Sequence, residues 1–454
     1  MSSTTVGRPE NTTQRAVLNT LKGSSGNLVE WYDVYVYTVF ATYFEPEFFG
    51  GDEPNAGIFT MAIFAVTFIM RPVGSWFFGR YADRRGRRPA LVLSISMMAV
   101  ASMVIALLPT HDSIGSLAIV LLVMCRLLQG FATGGEYGTS ATYMSEAATA
   151  ERRGFFSSFQ YVTLIGGHAL AQLMLLVLQV FLDDEQMSAY GWRIAFAVGG
   201  LAAVTVFWLR STMDESMSAS DLDSVDKESG SLRTLFTTHR KALLTCFLIT
   251  MGGTIAFYTY SVNAPATIKA TYKGEGLTAS WINLTLLLFL MALQPIGGLI
   301  SDRIGRKPML VFFGIGGVIW TYFLITYLPQ ITDPMGSWAL VAVGYVILTG
   351  YTSINAIVKA ELFPVRVRAL GVGVGYALAN SVFGGTAPVI YEAAKKSDHV
   401  TAFIVYVTLC IAASLLVYIF VLRNKSETEL DREQGHAYAS TKASPVTHDA
   451  EVVS

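Results

Sequence analysis

GRYADRRGRRP, from Gly79 to Pro89, and GLISDRIGRKP, from Gly298 to Pro308, are two copies of one charged stretch. Gly, Asp, Arg, Gly, Arg and Pro occupy equivalent positions in both copies, and the second copy follows the first by 219 residues. That interval is nearly half of the 454-residue chain. A repeat on this scale predicts two homologous halves.

The composition is that of a membrane protein. Of all residues 52% are hydrophobic and 14% are charged, with a mean hydropathy of +0.47. A soluble domain carries about 25% charged residues, so a chain with many apolar runs of membrane-spanning length is predicted to be an all-α membrane protein. Each charged stretch lies between two such runs and is therefore predicted to be a turn between two membrane helices. The cysteines fall inside apolar runs without paired spacing, so we expect no disulfide or metal site.

Twelve transmembrane helices are predicted, six in each half. Their ranges are 25–44, 56–79, 90–109, 116–146, 155–182, 191–210, 241–268, 279–300, 309–328, 336–362, 368–394 and 400–422. The chain then divides into an N-terminal tail 1–24, two six-helix bundles 25–210 and 241–422, a linker 211–240 and a tail 423–454. Linker and tail are polar and lack an apolar stripe, so we expect a mobile linker and a disordered tail.

The distribution of Lys and Arg predicts the orientation. With the N-terminus in the cytoplasm, the cytoplasmic segments hold 24 of these residues and the outer segments hold 5. Cytoplasmic loops of membrane proteins carry an excess of Lys and Arg. Both termini are therefore predicted to be cytoplasmic.

Several stretches resemble known transporters. The two charged loops resemble the signature loop between the second and third helices of each half in the major facilitator superfamily. SSGNLVEWYDVYVY, GGEYGTSATYMSEAA and KAELFPVRVRALGVGVGYALANSVFGG are similar to the metabolite:proton symporter family within it. The resemblance implies the major facilitator fold in a bacterial inner membrane, a protein that functions as a monomer, and no nucleic-acid partner.

Charged residues recur at the cytoplasmic ends of the halves. The fourth helix of each half ends in a Glu that is followed by Arg, as the charged loops pair Asp with Arg. The resemblance implies that these residues form a cytoplasmic gate: Asp83, Arg87, Glu146, Arg153, Asp302, Arg306, Glu361 and Arg368. The alternative is that the charges only fix the topology of the loops, which we favour for Arg84, Arg85 and Arg88.

The fourth helix carries a polar face inside the membrane. Arg126, Gln129, Thr133, Glu136, Ser140 and Tyr143 are spaced by three and four residues, so they share one side of the helix. Gly130, Gly134 and Gly138 run beside them, as on helices that pack closely. Arg126 and Glu136 are separated by about 15 Å along the helix and do not pair directly. CRLLQGFATGG resembles the superfamily motif whose Arg is tied to proton coupling.

Other embedded polar residues are candidates for the transport site. An ionisable residue inside the membrane indicates a functional site by default. Glu30 and Asp33 are three residues apart, and two neighbouring carboxylates in a low dielectric disfavour double ionisation, as a proton carrier requires. Together with Glu136 they are the proton-coupling candidates. The substrate-binding candidates are Arg126, Arg71, Gln129, Tyr37, Gln160, Tyr258, Tyr376 and Asn380. Arg71 either faces the cavity or extends to the cytoplasmic surface, Lys359 is expected to extend to that surface, and His168 is expected to pack.

The expected function is proton-coupled import of a dicarboxylate by alternating access. The resemblance implies 2-oxoglutarate first, with citrate, shikimate, proline or betaine as alternatives in the same family. An Arg binds a carboxylate in a bidentate manner, which suits an anionic substrate. A channel or receptor fits two homologous halves less well, and no catalytic cluster lies at one depth, so we expect neither enzymatic activity nor a cofactor beyond the coupling proton.

Overall fold

The computed structural model describes residues 13–49, 56–217, 229–272, 276–426 and 428–434. Helices are the only regular secondary structure in these ranges. These ranges leave out the first 12 residues, the linker residues 218–228 and the tail after Gln434. For these parts the predicted N-terminal tail, mobile linker and disordered C-terminal tail stay predictions.

Twelve long helical segments follow one another along the chain. In the first half these are α1 Thr13–Val39, α2 Ala56–Arg85, α3 Arg87–Leu107, α4 Leu117–Ala147, α5 Arg153–Phe181 and α6 Trp192–Ser211. In the second half they are α7 Arg240–Tyr258, α8 Gly276–Ile304, α9 Arg306–Tyr327, α10 Pro334–Thr352, α11 Arg368–Ala379 and α12 Val400–Phe420. Within the described ranges nine segments are long and apolar enough to cross a membrane; α1 and α2 carry buried charges, and α11 is interrupted.

Four of these helices are interrupted and continue beyond a break. The continuations are Ala41–Phe49 for α1, Thr259–Asn263 and Ala264–Thr271 for α7, Asn355–Ala360 for α10, and Asn380–Gly384 and Ala387–Lys396 for α11. Short helices occupy several connections: His111–Ile114, Ala150–Arg152, Asp184–Gln186, Met187–Gly191, Leu232–Thr237, Leu328–Gln330 and Val365–Val367. One more, Glu429–Gln434, lies in the tail after α12.

The two charged stretches are tight turns, as predicted. Gly86 lies between α2 and α3 with φ 101°, and Gly305 lies between α8 and α9 with φ 99°. Only glycine adopts such a φ without steric cost. The equivalent glycines of the two copies therefore make the same turn, which is direct structural evidence for homologous halves. We call the side of the molecule that carries both turns the motif face.

Part of the tail that we predicted to be disordered is ordered. Glu429–Gln434 is helical, and Leu430 is fully buried. Six residues are too few for an apolar period, so the sequence pattern could not indicate this contact. Within the predicted linker, Leu232–Thr237 is helical, and its first turn is capped by Ser231. α1 also begins at Thr13 rather than at residue 25, and Thr20 and Ser24 are buried.

The glycine track on α4 packs closely, as predicted. A Cβ at Gly130 or Gly134 would overlap the backbone of α2 at Thr67 or Arg71. A Cβ at Gly138 would lie 2.6 Å from the Cα of Gly373 on α11. The track therefore joins two helices of one half and, at Gly138, the two halves.

Candidate functional site

Each motif aspartate caps a helix of the opposite half. Asp83 accepts hydrogen bonds from the backbone N–H groups of Ala369 and Leu370 at 3.1 and 3.0 Å, at the start of α11. Asp302 accepts from the N–H groups of Gly154 and Phe155 at 2.8 and 2.9 Å, at the start of α5. A carboxylate stabilises the positive end of a helix dipole. These contacts therefore hold the halves together at the motif face.

The charged network around Asp83 is almost completely buried. Arg87 contacts Asp83 at 2.6 Å and Glu146 at 3.2 Å, both within the first half. Arg368, from the second half, contacts the same Glu146 oxygen at 2.9 Å. Glu146 thus connects the two halves through Arg368.

The second network is more exposed and includes the tail helix. Arg306 contacts Asp302 at 2.9 Å and Glu361 at 3.7 Å. Arg153, from the first half, forms an ion pair with Asp431 in the tail helix. Burial raises the pKa of Asp431, but hydrogen bonds from Thr428 and Arg153 outweigh that effect, so the pKa lies below its usual value. All eight predicted gate residues lie at the motif face; Asp431 was missed because we expected the tail to be disordered.

Four of the predicted site residues meet between α1 and α4. Arg126 donates to Oε1 of Gln129 at 2.7 Å, and the amide of Gln129 donates to Asp33. The guanidinium of Arg126 lies 4.1 Å from the ring centroid of Tyr37. Its Nε and Nη2 atoms are buried and find no acceptor in the part of the chain that the structure describes. Ser102, which the sequence did not suggest, accepts a second hydrogen bond from Gln129 at 3.2 Å.

A small buried cavity lies between the two halves. Its volume of about 10 Å³ admits about one water molecule. The walls contain Glu30 and Arg71 from the first half and Tyr376 from the second, together with Trp31, Thr133, Gly134, Tyr137 and Ala377. Arg71 is 2% exposed, so it faces this cavity and does not extend to the surface.

Arg71 is held mainly by aromatic rings. Its guanidinium carbon lies 4.0 Å from the ring centroid of Phe68 and 5.2 Å from that of Trp31. None of its three guanidinium nitrogens makes a hydrogen bond of normal geometry to a described residue. Tyr258 interacts with both Arg71 and Asn380, which brings these two predicted residues to the same region.

The cavity is closed towards the face opposite the motif face as well. Ser381 on the continuation of α11 donates to the carbonyl oxygen of Phe68 on α2 at 2.6 Å. Phe68 lies about one turn from Arg71, on the side away from the charged turns. The halves therefore touch on both sides of the cavity.

Glu136 does not line this cavity and is paired with an arginine of α6. It forms an ion pair with Arg210 and accepts a hydrogen bond from Ser94 at 2.9 Å, all within the first half. Arg210 is fully buried near the end of α6. The positional pattern of α4 identified the correct face of the helix, but the partner on α6 depends on tertiary packing.

Two other polar residues have packing partners. Gln160 donates to Asn27 at 3.2 Å and accepts from Ser140 at 3.1 Å, which joins α1, α4 and α5. The ring of His168 stacks on Tyr35 with centroids 3.7 Å apart, in agreement with the expected packing role.

Lys359 was wrongly expected to extend to the membrane surface. It is fully buried, and Nζ donates to Tyr137 at 3.0 Å, to Asn355 at 2.9 Å and to Tyr351 at 3.4 Å. Side chains tilt towards the N-terminus of their helix. The ammonium group therefore points away from the motif face, although its Cα lies near it.

Comparison with known proteins decides the family. A sequence profile described as Sugar (and other) transporter matches residues 20–218, and one described as Major Facilitator Superfamily matches residues 246–450. The alpha-ketoglutarate permease of Escherichia coli (strain K12) is 42% identical over 412 residues, which cover 90% of this chain and 95% of that protein. The chain belongs to the major facilitator superfamily of transporters.

Further comparisons agree with this assignment. The citrate-proton symporter of Salmonella typhi is 32% identical to this chain over 386 residues, which cover 83% of this chain and 87% of that protein. The structure of the proton:xylose symporter XylE bound to 6-bromo-6-deoxy-D-glucose superposes with a TM-score of 0.77 at 18% identity, over 93% of this chain and 99% of that one. These comparisons confirm the predicted major facilitator fold of two six-helix halves. They also confirm that the chain is a multi-pass membrane transporter.

Proposed function

We propose that this transporter is a symporter that imports a dicarboxylate, 2-oxoglutarate in the first place, together with protons across a bacterial inner membrane. The observation that carries the proposal is the 42% identity with an alpha-ketoglutarate permease over almost the whole of both chains. The buried cations described above support it, because they suit a substrate with carboxylate groups.

Arg71 is the first candidate for substrate binding. A buried guanidinium with unused donors is costly unless an acceptor satisfies it. A carboxylate accepts two parallel hydrogen bonds from Arg, which fixes its orientation as well as its position. Arg126 has two nitrogens without an acceptor among the described residues and is the second candidate, with Gln129 and Tyr37 beside it.

Glu30 is the first candidate for the coupling proton. It lines the same cavity as Arg71, and its Oε2 atom has no hydrogen-bond partner among the described residues. Asp33 is the second candidate, because one of its carboxylate oxygens is bound by Gln129 and the other is unpaired within the described chain. Glu136 ranks below both, since Arg210 already neutralises it.

Alternating access requires that the two halves separate on one side at a time. The motif face, which we assign to the cytoplasm together with both termini, closes through the capped helices and Glu146. Rocking of the bundles about the cavity opens one side while the other closes. Moving one negative charge inward against a potential of 100 mV costs about 2.3 kcal/mol, so co-transported protons reduce the electrical work of importing a dianion.

Uptake into proteoliposomes tests the proposal. Labelled 2-oxoglutarate is expected to accumulate when an inward proton gradient is imposed, and a protonophore is expected to abolish the accumulation. Arg71→Lys should reduce uptake at least tenfold, whereas Arg193→Lys, which changes an arginine bound to backbone carbonyls at the end of α3, should not. Uptake that a protonophore leaves unchanged would contradict the coupling.

Citrate is the second candidate substrate, because a citrate-proton symporter is 32% identical to this chain. Competition by unlabelled compounds distinguishes the two. If citrate inhibits uptake more strongly than unlabelled 2-oxoglutarate does, the assigned substrate changes to citrate and the class of transporter stays the same.

The number of copies in an active unit tests the expected function as a monomer. A single labelled copy per active unit, counted in vesicles at low protein density, would support it.

A further inference from the structure

Lys359 is a buried cation that contacts no carboxylate in the described part of the chain. Its side chain is fully buried, and its three hydrogen-bond acceptors are the neutral oxygens of Tyr137, Asn355 and Tyr351. It forms no salt bridge with any residue that the structure describes. Burial of an ammonium group without a counter-charge is unfavourable, so a purely structural role would be filled better by a neutral side chain.

Aromatic rings hold this ammonium at the boundary between the halves. Nζ lies 4.9 Å from the ring centroid of Tyr137 and 4.5 Å from that of Tyr376. Tyr137 belongs to α4 in the first half, whereas Lys359 and Tyr376 belong to the second half. A cation over an aromatic face is attracted weakly, so the contact stabilises Lys359 while leaving its charge uncompensated.

The same two tyrosines separate Lys359 from the cavity. Their rings stack with centroids 3.5 Å apart, and both residues also line the cavity that contains Arg71 and Glu30. Because the stacked rings come from different halves, any movement that separates the halves on this side also separates the rings. Lys359 then borders the same space as Arg71.

We propose that Lys359 is a specificity-determining residue that binds the second carboxylate of the substrate, while Arg71 binds the first. This inference rests on the proposed function as a dicarboxylate transporter. The two carboxylate carbons of 2-oxoglutarate are joined by four C–C bonds of about 1.5 Å each, so they lie about 5 Å apart when the chain is extended. The two cations come from opposite halves, so a dicarboxylate bridges them, whereas a monocarboxylate satisfies only one.

The assignment predicts which compound a change at Lys359 affects. We compare 2-oxoglutarate with 2-oxopentanoate, which has the same carbon chain but lacks the distal carboxylate. In proteoliposomes Lys359→Met should raise KM for labelled 2-oxoglutarate at least tenfold. The inhibition constant of 2-oxopentanoate should change less than threefold. Lys359→Arg keeps the charge and should retain the preference for 2-oxoglutarate.

A structural role gives a different result. In that case Lys359→Met would weaken the binding of 2-oxoglutarate and of 2-oxopentanoate equally. The ratio of the KM for 2-oxoglutarate to the inhibition constant of 2-oxopentanoate would then stay at the wild-type value, which would overturn the inference. If Lys359→Met does not fold in detergent, Lys359→Gln supplies the same ratio with a polar side chain in place. If the wild type takes up no 2-oxoglutarate, the proposed function fails and the inference fails with it; normal wild-type uptake with an unchanged ratio refutes the role of Lys359 alone.

Discussion

Replacing Asp83 by Asn should shift the protein towards conformations that are open at the motif face. The Asp83 carboxylate accepts two N–H groups at the start of α11, in the other half. Asn retains an acceptor oxygen but removes the negative charge from the end of the helix dipole. The ion pair with Arg87 lies within one half, so we expect the contact with α11 to account for the shift.

The expected size follows from burial. A carboxylate at a helix N-terminus contributes about 0.3–1 kcal/mol when exposed and up to about 2 kcal/mol when partly buried. The side chains of Asp83 and Arg87 are 0% exposed, so the upper value applies, which corresponds to roughly a 30-fold change in the equilibrium. Asp302→Asn is the matched variant. Asp302 and Arg306 are 9% and 19% exposed, so we expect about 1 kcal/mol or roughly fivefold.

The rate of cysteine modification measures the shift. The three native cysteines are buried and are replaced first. A single cysteine at Ala377, in the cavity wall, is then labelled with a maleimide that is added only on the side of the motif face. Labelling should accelerate most in Asp83→Asn and less in Asp302→Asn. Equal labelling rates in the wild type and both variants would refute the view that the caps hold this face closed.

Three further expectations follow from buried contacts. Glu136→Gln should lower the free energy of unfolding by about 3–5 kcal/mol, because it removes the counter-charge of Arg210; a variant with Met at both positions should recover most of this in thermal unfolding. Gly138→Ala should destabilise the closed motif face by about 1–3 kcal/mol, since the methyl group would overlap Gly373, and the cysteine assay should show faster labelling. The pKa of Asp431 is lowered, so docking of the tail should persist from about pH 8 to about pH 5. Docking should be lost only when the pH falls through that lowered pKa, which lies below the usual value of about 3.9. A spin label at position 432 would report docking, and Asp431→Asn should release the tail at every pH.

The repeated turn was predictable because its chemistry is local. A glycine with positive φ, a preceding aspartate and a following arginine are required at fixed positions, so the pattern is visible twice in the chain. The polar face of α4 was predictable for the same reason, since residues three and four positions apart must share a side of a helix.

What each polar residue touches was not predictable. The single polar face of α4 divides into two sites, because Arg126 meets α1 through Gln129, whereas Glu136 meets Arg210 on α6. The arrangement of neighbouring helices decides this, and spacing within one helix carries no information about it. Lys359 shows a second limit, since its distance from the end of α10 indicated a surface residue while the direction of its side chain placed the charge inside.

The docked tail has a practical consequence for work with this transporter. Glu429–Gln434 belongs to the chain that leaves the second half, and its Asp431 binds Arg153 of the first half. The segment therefore connects the two halves at the motif face. A C-terminal fusion that prevents docking would remove this contact between the halves, so measurements on C-terminally tagged protein should be compared with protein that is tagged at the N-terminus.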